Sequence, residues 1–412
     1  MKLCFIADLN SIHSQKWIGY FCEKGHQVYV LSTSDFWGEF KNAIVYNLSG
    51  NIGSEQSSLN SDKTGNFKKH LIKLLGEHPD LLIWLSQKTG NLKRLIKVYC
   101  YSKIARGSIR EIKPDLVHCL RLPIEGYIGC LADAKPLVIS SWGNDFTYWA
   151  KVSPIHIYLT KRTMSRADLF FADCQRDIKL GIKYGLNMSR SHNVFPGAGG
   201  IDLKSVEKEK IKVSYFKPWG INHKDIILVS FRGFGRWYLN KQLLKAFFVV
   251  RKKFRNTKLV LVGSKDNLYY SSLTKLTASL GLNKSVFFID SIPNNEIRHL
   301  IRSSDLIISA TSHDGVPNSM LEAIAYGGIP VMSDIPSIRE WVKDGWNGYL
   351  FDARDPENIA RVIVRALENR DSFELMVKRN WSLVSERADY HKNMKLVEEM
   401  YRRLVSKAKT QR

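Results

Sequence analysis

Two acidic residues flank a turn-forming segment in the second half of the chain: Asp314, which is followed by Gly315 and Pro317, and Glu322. A strand pattern ends just before them and a helical pattern carries Glu322, so the turn leads into a helix. Free backbone N–H groups at a helix start can bind an anion, and ionised carboxylates accept hydrogen bonds from hydroxyl groups. The segment therefore favours a ligand with sugar rings on either side of a diphosphate. The alternative is that Asp314 caps the helix and Glu322 is solvated.

A glycine-rich turn follows an earlier strand pattern at residues 231–238, which read FRGFGRWY. It imitates the dinucleotide-binding motif, but Tyr238 stands at the third glycine position, which argues against a nicotinamide cofactor. Arg232 and Arg236 suit a diphosphate, because guanidinium groups form paired hydrogen bonds with phosphate oxygens. The alternative is a tight turn with solvated arginines.

Polar residues also follow strand patterns in the first half of the chain. Asp145 lies in Trp142-Gly143-Asn144-Asp145, and His118 ends another strand pattern. We expect these two side chains to orient a second substrate. The alternatives are that Asp145 caps the next helix and that His118 is a hydrogen-bonded core histidine.

Strand patterns alternate with helical patterns along the chain, which predicts parallel sheets. We predict an α/β fold of two Rossmann-like doubly wound domains, residues 1–200 and 201–385, that face a central cleft. A glycine-rich hinge at residues 196–200 is expected to join them, and a helix at 386–412 to pack back on the first domain. The predicted strands are 3–7, 28–31, 116–119, 137–140, 169–172, 193–195, 226–231, 259–262, 286–289, 306–309 and 329–332.

The composition favours anionic partners. The 412 residues include 62 Lys or Arg and 39 Asp or Glu, which gives a net charge of +23. The six scattered cysteines form no Cys-x-x-Cys pair, which argues against a disulfide framework or a zinc site. The apolar stretch at the start is too short for a signal peptide, and no run could span a bilayer. We expect a cytoplasmic protein without a bound metal.

The motifs together resemble a known family over nearly the whole chain: the retaining nucleotide-sugar glycosyltransferases of family four, which have the GT-B fold. The family signature is Glu, seven residues, Glu, then Ala-x-Ala-x-Gly-x-Pro-Val. Asp314 replaces the first Glu, Glu322 is the second, and residues 323–331 read AIAYGGIPV. The run Asp-Gly-Val-Pro-Asn is similar to a recurrent subfamily variant. Further matches lie at residues 25–28, 114–118, 142–145 and 340–348.

The resemblance implies a role for each matching residue. Glu322 would hold the ribose of the donor, Asp314 the transferred sugar, and Arg232 in the Gly233 turn the diphosphate. Tyr238 stands where a phosphate-binding Lys is usual, and the nearby Lys241 could substitute. The loop residues that would contact sugar and phosphate are Gly315, Val316, Pro317 and Asn318.

The resemblance implies an enzyme that transfers a sugar from a UDP- or GDP-linked donor to a saccharide or lipid-linked acceptor, in glycan or polysaccharide biosynthesis. The transfer would retain the anomeric configuration of the sugar and would need no metal. No further cofactor is expected. Two alternatives remain open at this point: a sugar-nucleotide epimerase of similar architecture, and a basic nucleic-acid-binding protein. The second lacks a recognisable nucleic-acid-binding motif, so we expect no specific nucleic acid.

A basic segment favours contact with an anionic membrane. Residues 60–113 hold twelve Lys or Arg and four acidic residues, interleaved with apolar residues such as Leu95 and Val98. Basic helices with an apolar face lie in the interface of anionic bilayers. We expect peripheral docking at the inner face of the membrane. The alternative is that the apolar residues pack on the first sheet.

Overall fold

The structure, a computed structural model, describes residues 1–50, 92–208, 215–222, 224–235, 237–266 and 268–410. The chain divides into two compact units. The first contains Met1–Asp173, Asp177–Val194 and Met394–Arg412, and the second contains Cys174–Arg176 and Phe195–Asn393. Each unit contains one parallel sheet flanked by helices.

The sheet of the first unit has seven strands among the described residues. They are β1 (Lys2–Ala7), β2 (Gln27–Ser32), β3 (Ala43–Asn47), β4 (Leu116–Cys119), β5 (Leu137–Ser141), β6 (Leu169–Ala172) and β7 (Ser191–Val194). Their order is β3-β2-β1-β4-β5-β6-β7, with parallel pairing throughout. The order reverses between β1 and β4, the kind of switch point at which open α/β sheets bind ligands.

The central strands are continuous apolar runs because helices cover both faces of the sheet. In β1, Leu3 to Ala7 are fully buried. Val117 and Cys119 of the neighbouring strand β4 are in register with β1 and are also buried. The helices of this unit are α1 (Ile12–Glu23), α2 (Leu92–Ile112), α3 (Tyr127–Leu131), α4 (Pro154–Arg166) and α5 (Gln175–Lys183). A π-helical turn, Leu122–Gly126, precedes α3, and a 3₁₀ turn lies at Trp149–Lys151.

The sheet of the second unit has six strands among the described residues. They are β8 (Ile226–Ser230), β9 (Thr257–Val262), β10 (Val286–Ile289), β11 (Leu306–Ser309), β12 (Pro330–Ser333) and β13 (Tyr349–Phe351). Their order is β10-β9-β8-β11-β12-β13. The switch point lies between β8 and β11, where Leu306 is in register with Leu228.

Helices surround this second sheet and continue to the end of the described chain. They are α6 (Leu203–Lys208), α7 (Asn240–Lys253), α8 (Leu268–Ser279), α9 (Asn294–Arg302), α10 (Asn318–Ala325), α11 (Pro336–Arg339), α12 (Pro356–Glu368), α13 (Phe373–Arg387) and α14 (Tyr390–Thr410). Short 3₁₀ turns lie at Lys217–Trp219 and Arg370–Ser372. From Met394 onward α14 belongs to the first unit, where Tyr401 is fully buried.

The predicted strands are present, but the sequence patterns missed β3 and β13. Both are edge strands, with five and three residues respectively. Alternate residues of β3 are exposed, so it has no buried apolar run. Its pairing with β2 is a tertiary feature that a short window of sequence does not encode.

Residues 196–200, predicted as a hinge, form a tight turn inside the second unit. Gly197 and Ala198 have left-handed φ angles of 53° and 55°. A Cβ atom on Gly197 would lie 1.9 Å from Asn318 Oδ1, and one on Gly200 would lie 2.1 Å from the Ala388 carbonyl oxygen. These glycines are therefore required for close packing of the turn, including its contact with the start of α10.

Candidate functional site

The two glycine-containing turns of the second unit meet beside its switch point. One follows β8 and the other follows β11, and these strands are neighbours in the sheet. The turns are joined directly, since Leu239 N donates to the Ala310 carbonyl at 2.9 Å and Ser312 N to the Trp237 carbonyl at 3.0 Å. Backbone pairing therefore brings together residues that are far apart in the sequence.

Arg232 lies at the centre of this junction. Its Nη2 donates to Asp314 Oδ2, and its Nη1 donates to Ser319 Oγ at 2.8 Å. Its guanidinium group also lies 5.1 Å from the centre of the Tyr238 ring, a cation–π distance. Both side chains of the ion pair are largely buried, at 16% exposure for Arg232 and 13% for Asp314. The site thus contains a fixed cation whose buried Nε has no protein partner among the described residues.

Asp314 is held at both its side chain and its backbone. Its Oδ1 accepts from Gly315 N at 2.9 Å. Its carbonyl oxygen accepts from Arg176 Nη1 at 2.5 Å and from Ser337 Oγ at 2.9 Å. The carboxylate therefore orients Arg232 and the start of the loop. The sequence patterns did not single out Arg176, Ser319 or Ser337, because hydroxyl and guanidinium groups this far apart in sequence carry no local motif.

The loop from Gly315 to Asn318 leads into α10, which carries Glu322. Gly315, Val316 and Pro317 are buried, and the helix begins at Asn318, one residue later than expected from proline in its first turn. Glu322 is half-buried on the second turn of α10. The first-turn N–H groups and the Glu322 carboxylate thus belong to one short helix that starts beside the Arg232–Asp314 pair.

The other residues predicted at the phosphate turn have unequal positions. Gly233 has a φ of +76° and donates its N–H to the Val262 carbonyl at 3.1 Å. Gly263 packs closely on it, since a Cβ on Gly263 would lie 2.8 Å from the Gly233 Cα. Tyr238 stacks on Arg232, whereas Lys241 is exposed on the first turn of α7. Arg236 lies outside the described residues.

Asp145 is buried in the first unit and bonds to its own loop and to the loop after β4 rather than facing solvent. It has no exposed surface. Its oxygens accept from Arg121 Nη2 at 2.5 Å and from the backbone N–H groups of Trp142 at 3.0 Å and Leu122 at 3.4 Å. This corrects the expectation that Asp145 itself would contact a substrate. The polar group that remains accessible is Arg121, whose side chain is 41% exposed.

His118 is a core residue, as the alternative interpretation proposed. It is fully buried, and its two ring nitrogens contact Ser140 Oγ at 2.8 Å and the Tyr401 hydroxyl. Trp17 packs edge-on against its ring. Burial lowers the pKa of His118 well below its usual range, so the imidazole is neutral. It has no surface with which to orient a substrate hydroxyl.

Glu125 is a buried acid that the sequence patterns missed. It lies in the π-helical turn after β4 and accepts from Thr33 Oγ1 at 2.9 Å. Burial raises the pKa of Glu125 to about 7, although the positive charge of Arg121 opposes the shift. The only signal in the sequence was its place shortly after a strand pattern, which does not distinguish a buried acid from a solvated one.

Within the part of the chain that the structure describes, no group of three or more His, Cys, Asp or Glu side chains converges as metal ligands. No helix there is long and apolar enough to cross a bilayer. Five of the six cysteines are buried.

The segment predicted to dock on a membrane is only partly described. Residues 60–91, including Lys68 and Lys69, lie outside the described residues. In α2, Leu95 and Val98 are buried in the first core, and Arg94 stacks on Trp149 with 4.8 Å between guanidinium carbon and ring centre. The expectation that Leu95 and Val98 form a membrane-facing surface is therefore wrong, because they pack on the sheet.

Two family models match the chain. "Glycosyl transferases group 1" matches residues 212–382, and "Glycosyl transferase 4-like" matches residues 89–174. Along both segments the chain is similar to the family-four-like glycosyltransferases. The first match covers both turns at Arg232 and Asp314 together with α10. The second covers β4, β5 and β6, with the Arg121–Asp145 pair.

The curated relatives of this chain are distant. It is 25% identical over 214 residues to an uncharacterized glycosyltransferase of Methanocaldococcus jannaschii, covering 50% of this chain and 52% of the relative. It is 28% identical over 153 residues to the GDP-mannose:cellobiosyl-diphosphopolyprenol alpha-mannosyltransferase of Xanthomonas oryzae, covering 36% and 40%. The chain thus spans about half the length of these relatives or less. Neither the epimerase nor the nucleic-acid-binding alternative is supported by these matches.

Solved structures establish the fold. HepE of Anabaena in complex with UDP has a TM-score of 0.71 at 16% identity, covering 97% of this chain and 99% of that one. Sucrose-phosphate synthase of Thermosynechococcus elongatus has a TM-score of 0.74 at 12% identity, covering 98% and 100%. These neighbours are GT-B glycosyltransferases, and this chain shares their fold.

Proposed function

We propose that this protein transfers a sugar from a nucleotide-sugar donor to a saccharide or lipid-linked acceptor, with retention of anomeric configuration and without a metal ion. The observation that carries the proposal is the buried Arg232–Asp314 pair at the switch point of the second sheet, beside the start of α10. A fixed cation next to the N-terminal end of a helix is suited to a diphosphate.

The donor would bind in the second unit. Arg232, whose Nε has no protein partner among the described residues, and the loop from Gly315 to Asn318 would hold the diphosphate. Glu322 would accept hydrogen bonds from the ribose hydroxyls, since an ionised carboxylate can accept from two neighbouring donors. Gly233 and Tyr238 would line the same turn. Because Lys241 is exposed on α7, we assign it the weakest part in donor binding.

Two roles for Asp314 follow from its contacts and from the family resemblance. Its carboxylate already accepts from Arg232 and Gly315 N, so it would position the cation that meets the diphosphate. The resemblance adds a contact to the transferred sugar. A carboxylate has two oxygens with several acceptor positions, so both roles are compatible.

The reaction would break the bond between the anomeric carbon and the diphosphate oxygen and form a bond to the acceptor oxygen on the same face of the sugar. Negative charge develops on the leaving diphosphate, and Arg232 and the α10 N–H groups would stabilise it, because preorganised donors act where charge develops. The leaving phosphate would accept the proton of the acceptor hydroxyl.

The first unit would bind the acceptor, with Arg121 as its accessible polar group and Asp145 as a positioning residue. The Xanthomonas relative is named for a diphosphopolyprenol acceptor, and a cation such as Arg121 would suit an acceptor of that chemical class. Contact with the inner face of an anionic membrane is part of this proposal. It depends on the cations of residues 60–91 and on exposed lysines of α2, since Leu95 and Val98 are in the core.

The decisive experiment is a nucleotide-release screen. UDP- and GDP-linked sugars are incubated with the protein, and free nucleotide is measured with and without candidate acceptors. We expect slow donor hydrolysis for one base and one sugar, lost in Arg232→Ala. The proposal fails if no nucleotide is released from any donor, or if a donor is converted to an isomeric sugar nucleotide without release.

A further inference from the structure

A groove of about 970 Å³ lies in the first unit, between α14 and the starts of β5, β6 and β7. Ligands of open α/β sheets bind at the carboxyl ends of the strands, where Arg121 and Asp145 follow β4 and β5. The groove lies at the opposite, amino ends of the same sheet. It is therefore distinct from the acceptor site proposed for this unit.

The lining of the groove is strongly basic. Its charged residues are five cations and one acid: Lys135, Arg166, Arg190, Arg403, Lys407 and Asp168. Because the five cations come from four separate segments of the chain, their convergence is a product of the fold.

The single acid is already neutralised by protein groups. Asp168 Oδ2 accepts from Leu137 N at 2.9 Å, and Asp168 Oδ1 lies 3.4 Å from Arg190 Nη1. Asp168 also lies directly before β6, so its bonds serve to hold the strand ends together. The acid therefore does little to offset the positive charge of the groove.

Three of the cations have no such partner. Lys135, Arg403 and Lys407 are exposed, and none makes an ion pair among the described residues. Arg403 and Lys407 are four positions apart on α14 and so lie on one face of the helix, while Lys135 precedes β5 on the opposite wall. Their mutual repulsion is relieved when an anion lies between them.

The shape of the groove suits a ligand rather than solvent alone. Its volume is at the upper end of the range for small-molecule sites, about 300–1,000 Å³. Met400 and Leu404 form an apolar strip beside the two cations of α14. Such a lining favours a compound that carries phosphate groups and an apolar part.

We propose that this groove binds phosphate groups through Lys135, Arg403 and Lys407. Guanidinium and ammonium groups are the usual phosphate ligands in proteins, and charge-assisted hydrogen bonds to phosphate are about twice as strong as neutral ones. The phosphate is carried either by a soluble ester or by the head group of an anionic lipid. The binding does not depend on the glycosyl-transfer reaction.

The test uses the full chain and lysine labelling read by mass spectrometry, which reports on each site separately. Inorganic pyrophosphate is the probe in one arm, and phosphatidylglycerol vesicles are the probe in the other. We expect Lys135 and Lys407 to be protected from labelling in at least one arm. Lys161, Lys179 and Lys395, which are exposed in the same unit and do not line the groove, should stay reactive.

A pair of matched variants then measures the affinity. Lys135→Gln combined with Arg403→Gln and Lys407→Gln should weaken binding of the effective probe at least tenfold. Lys161→Gln combined with Lys179→Gln and Lys395→Gln removes the same charge from the same unit and should weaken it less than threefold.

The two arms identify the source of the phosphate. Protection by pyrophosphate assigns a soluble phosphate compound, and protection by vesicles alone assigns a lipid head group. The proposal is overturned if neither probe protects Lys135 and Lys407, if all five lysines are protected equally, or if both triple variants lose affinity to the same extent.

Discussion

At the level of single residues, the candidate donor site depends on how Arg232 is oriented. Its guanidinium group is fixed by Asp314, Ser319 and the ring of Tyr238. An arginine held on several sides loses little further side-chain entropy when it binds a phosphate. The positioning groups are therefore as important to test as the residues that would touch the donor.

Replacing the two signature carboxylates tests this arrangement. Glu322→Ala should abolish transfer, and Asp314→Ala should impair it with the fold retained, because loss of one charged hydrogen bond costs about 1.5–3 kcal/mol, or tenfold or more in rate. Steady-state kinetics with the donor identified by the nucleotide-release screen, together with circular dichroism, measure both effects. Glu357→Ala, an exposed residue on α12, is the matched control. Near-parental activity in a folded Glu322→Ala variant contradicts the assignment.

Glu125 predicts a pH-dependent stability. Its pKa is raised from 4.5 to about 7 by burial, so between those values the folded protein holds a proton that the unfolded chain releases. Stability contributed by this group therefore falls as pH rises through that window. Two charged groups face Glu125: the positive charge of Arg121 lowers its pKa, and the negative charge of Asp145 raises it.

The measurement compares thermal unfolding of Glu125→Gln with the parent at pH 5 and pH 8. The variant should gain stability relative to the parent at pH 8, by roughly 1–3 kcal/mol, and little at pH 5, because it removes the cost of the buried charge. Glu111 is exposed on α2, so the stability of Glu111→Gln should differ from that of the parent by the same amount at pH 5 and pH 8. If the stability difference between Glu125→Gln and the parent is also the same at pH 5 and pH 8, the Glu125 carboxyl is not buried as the structure has it.

At the level of elements, the start of α10 is supported by the turn of residues 196–200. Gly197 combines a left-handed φ with a contact that leaves no room for a Cβ beside Asn318. The turn therefore packs directly against the start of α10. The sequence predicted a hinge from the same glycines, because glycine content does not distinguish a mobile joint from a tightly packed turn.

Gly197→Ala tests this support. We expect a loss of about 1–3 kcal/mol of unfolding free energy from strain and overpacking, together with weaker donor binding. Gly220→Ala is the matched control, because Gly220 also has a left-handed φ, of +69°, but has open space where a Cβ would lie. The Gly220→Ala variant should lose only the stability that backbone strain accounts for, and it should keep the parental affinity for the donor. Equal effects of the two substitutions on donor affinity would show that the contact with Asn318 is unimportant.

At the level of the whole molecule, the two units divide the work that we propose: the switch point of the second sheet holds the donor, and that of the first holds the acceptor. The net charge of +23 is consistent with anionic substrates in both. In the first unit part of this charge is concentrated at the groove, at the opposite end of the sheet from Arg121.

Activity should survive removal of divalent cations. Arg232 and the α10 N–H groups can balance the charge of the leaving diphosphate, so no metal is needed for that step. The rate of nucleotide release is measured before and after treatment with EDTA, with a metal-dependent glycosyltransferase treated in parallel as a positive control. A loss of activity that magnesium or manganese restores contradicts the prediction.

The sequence by itself determined the class of fold and the loops that matter. Continuous apolar runs such as Leu3 to Ala7 and Leu306 to Ile308 identify buried parallel strands, because a strand covered on both faces must be apolar throughout. Glycine, proline and acidic residues directly after such runs identified the loops of Arg232, Asp314 and Asp145. These signals are local, so a short window of sequence contains them.

The tertiary structure decided which side chains face a ligand. Asp145 and Glu125 look like surface acids in the sequence, and only the packing around β4 and β5 buries them. His118 is neutral because it is fully buried, and one of the residues that bury it, Tyr401, lies 283 positions later in the chain. Ser319 reaches Arg232 only after β8 and β11 pair, and Arg176 and Ser337 reach Asp314 from α5 and α11. Burial and electrostatic environment are sums over residues distant in sequence, so local patterns do not specify them.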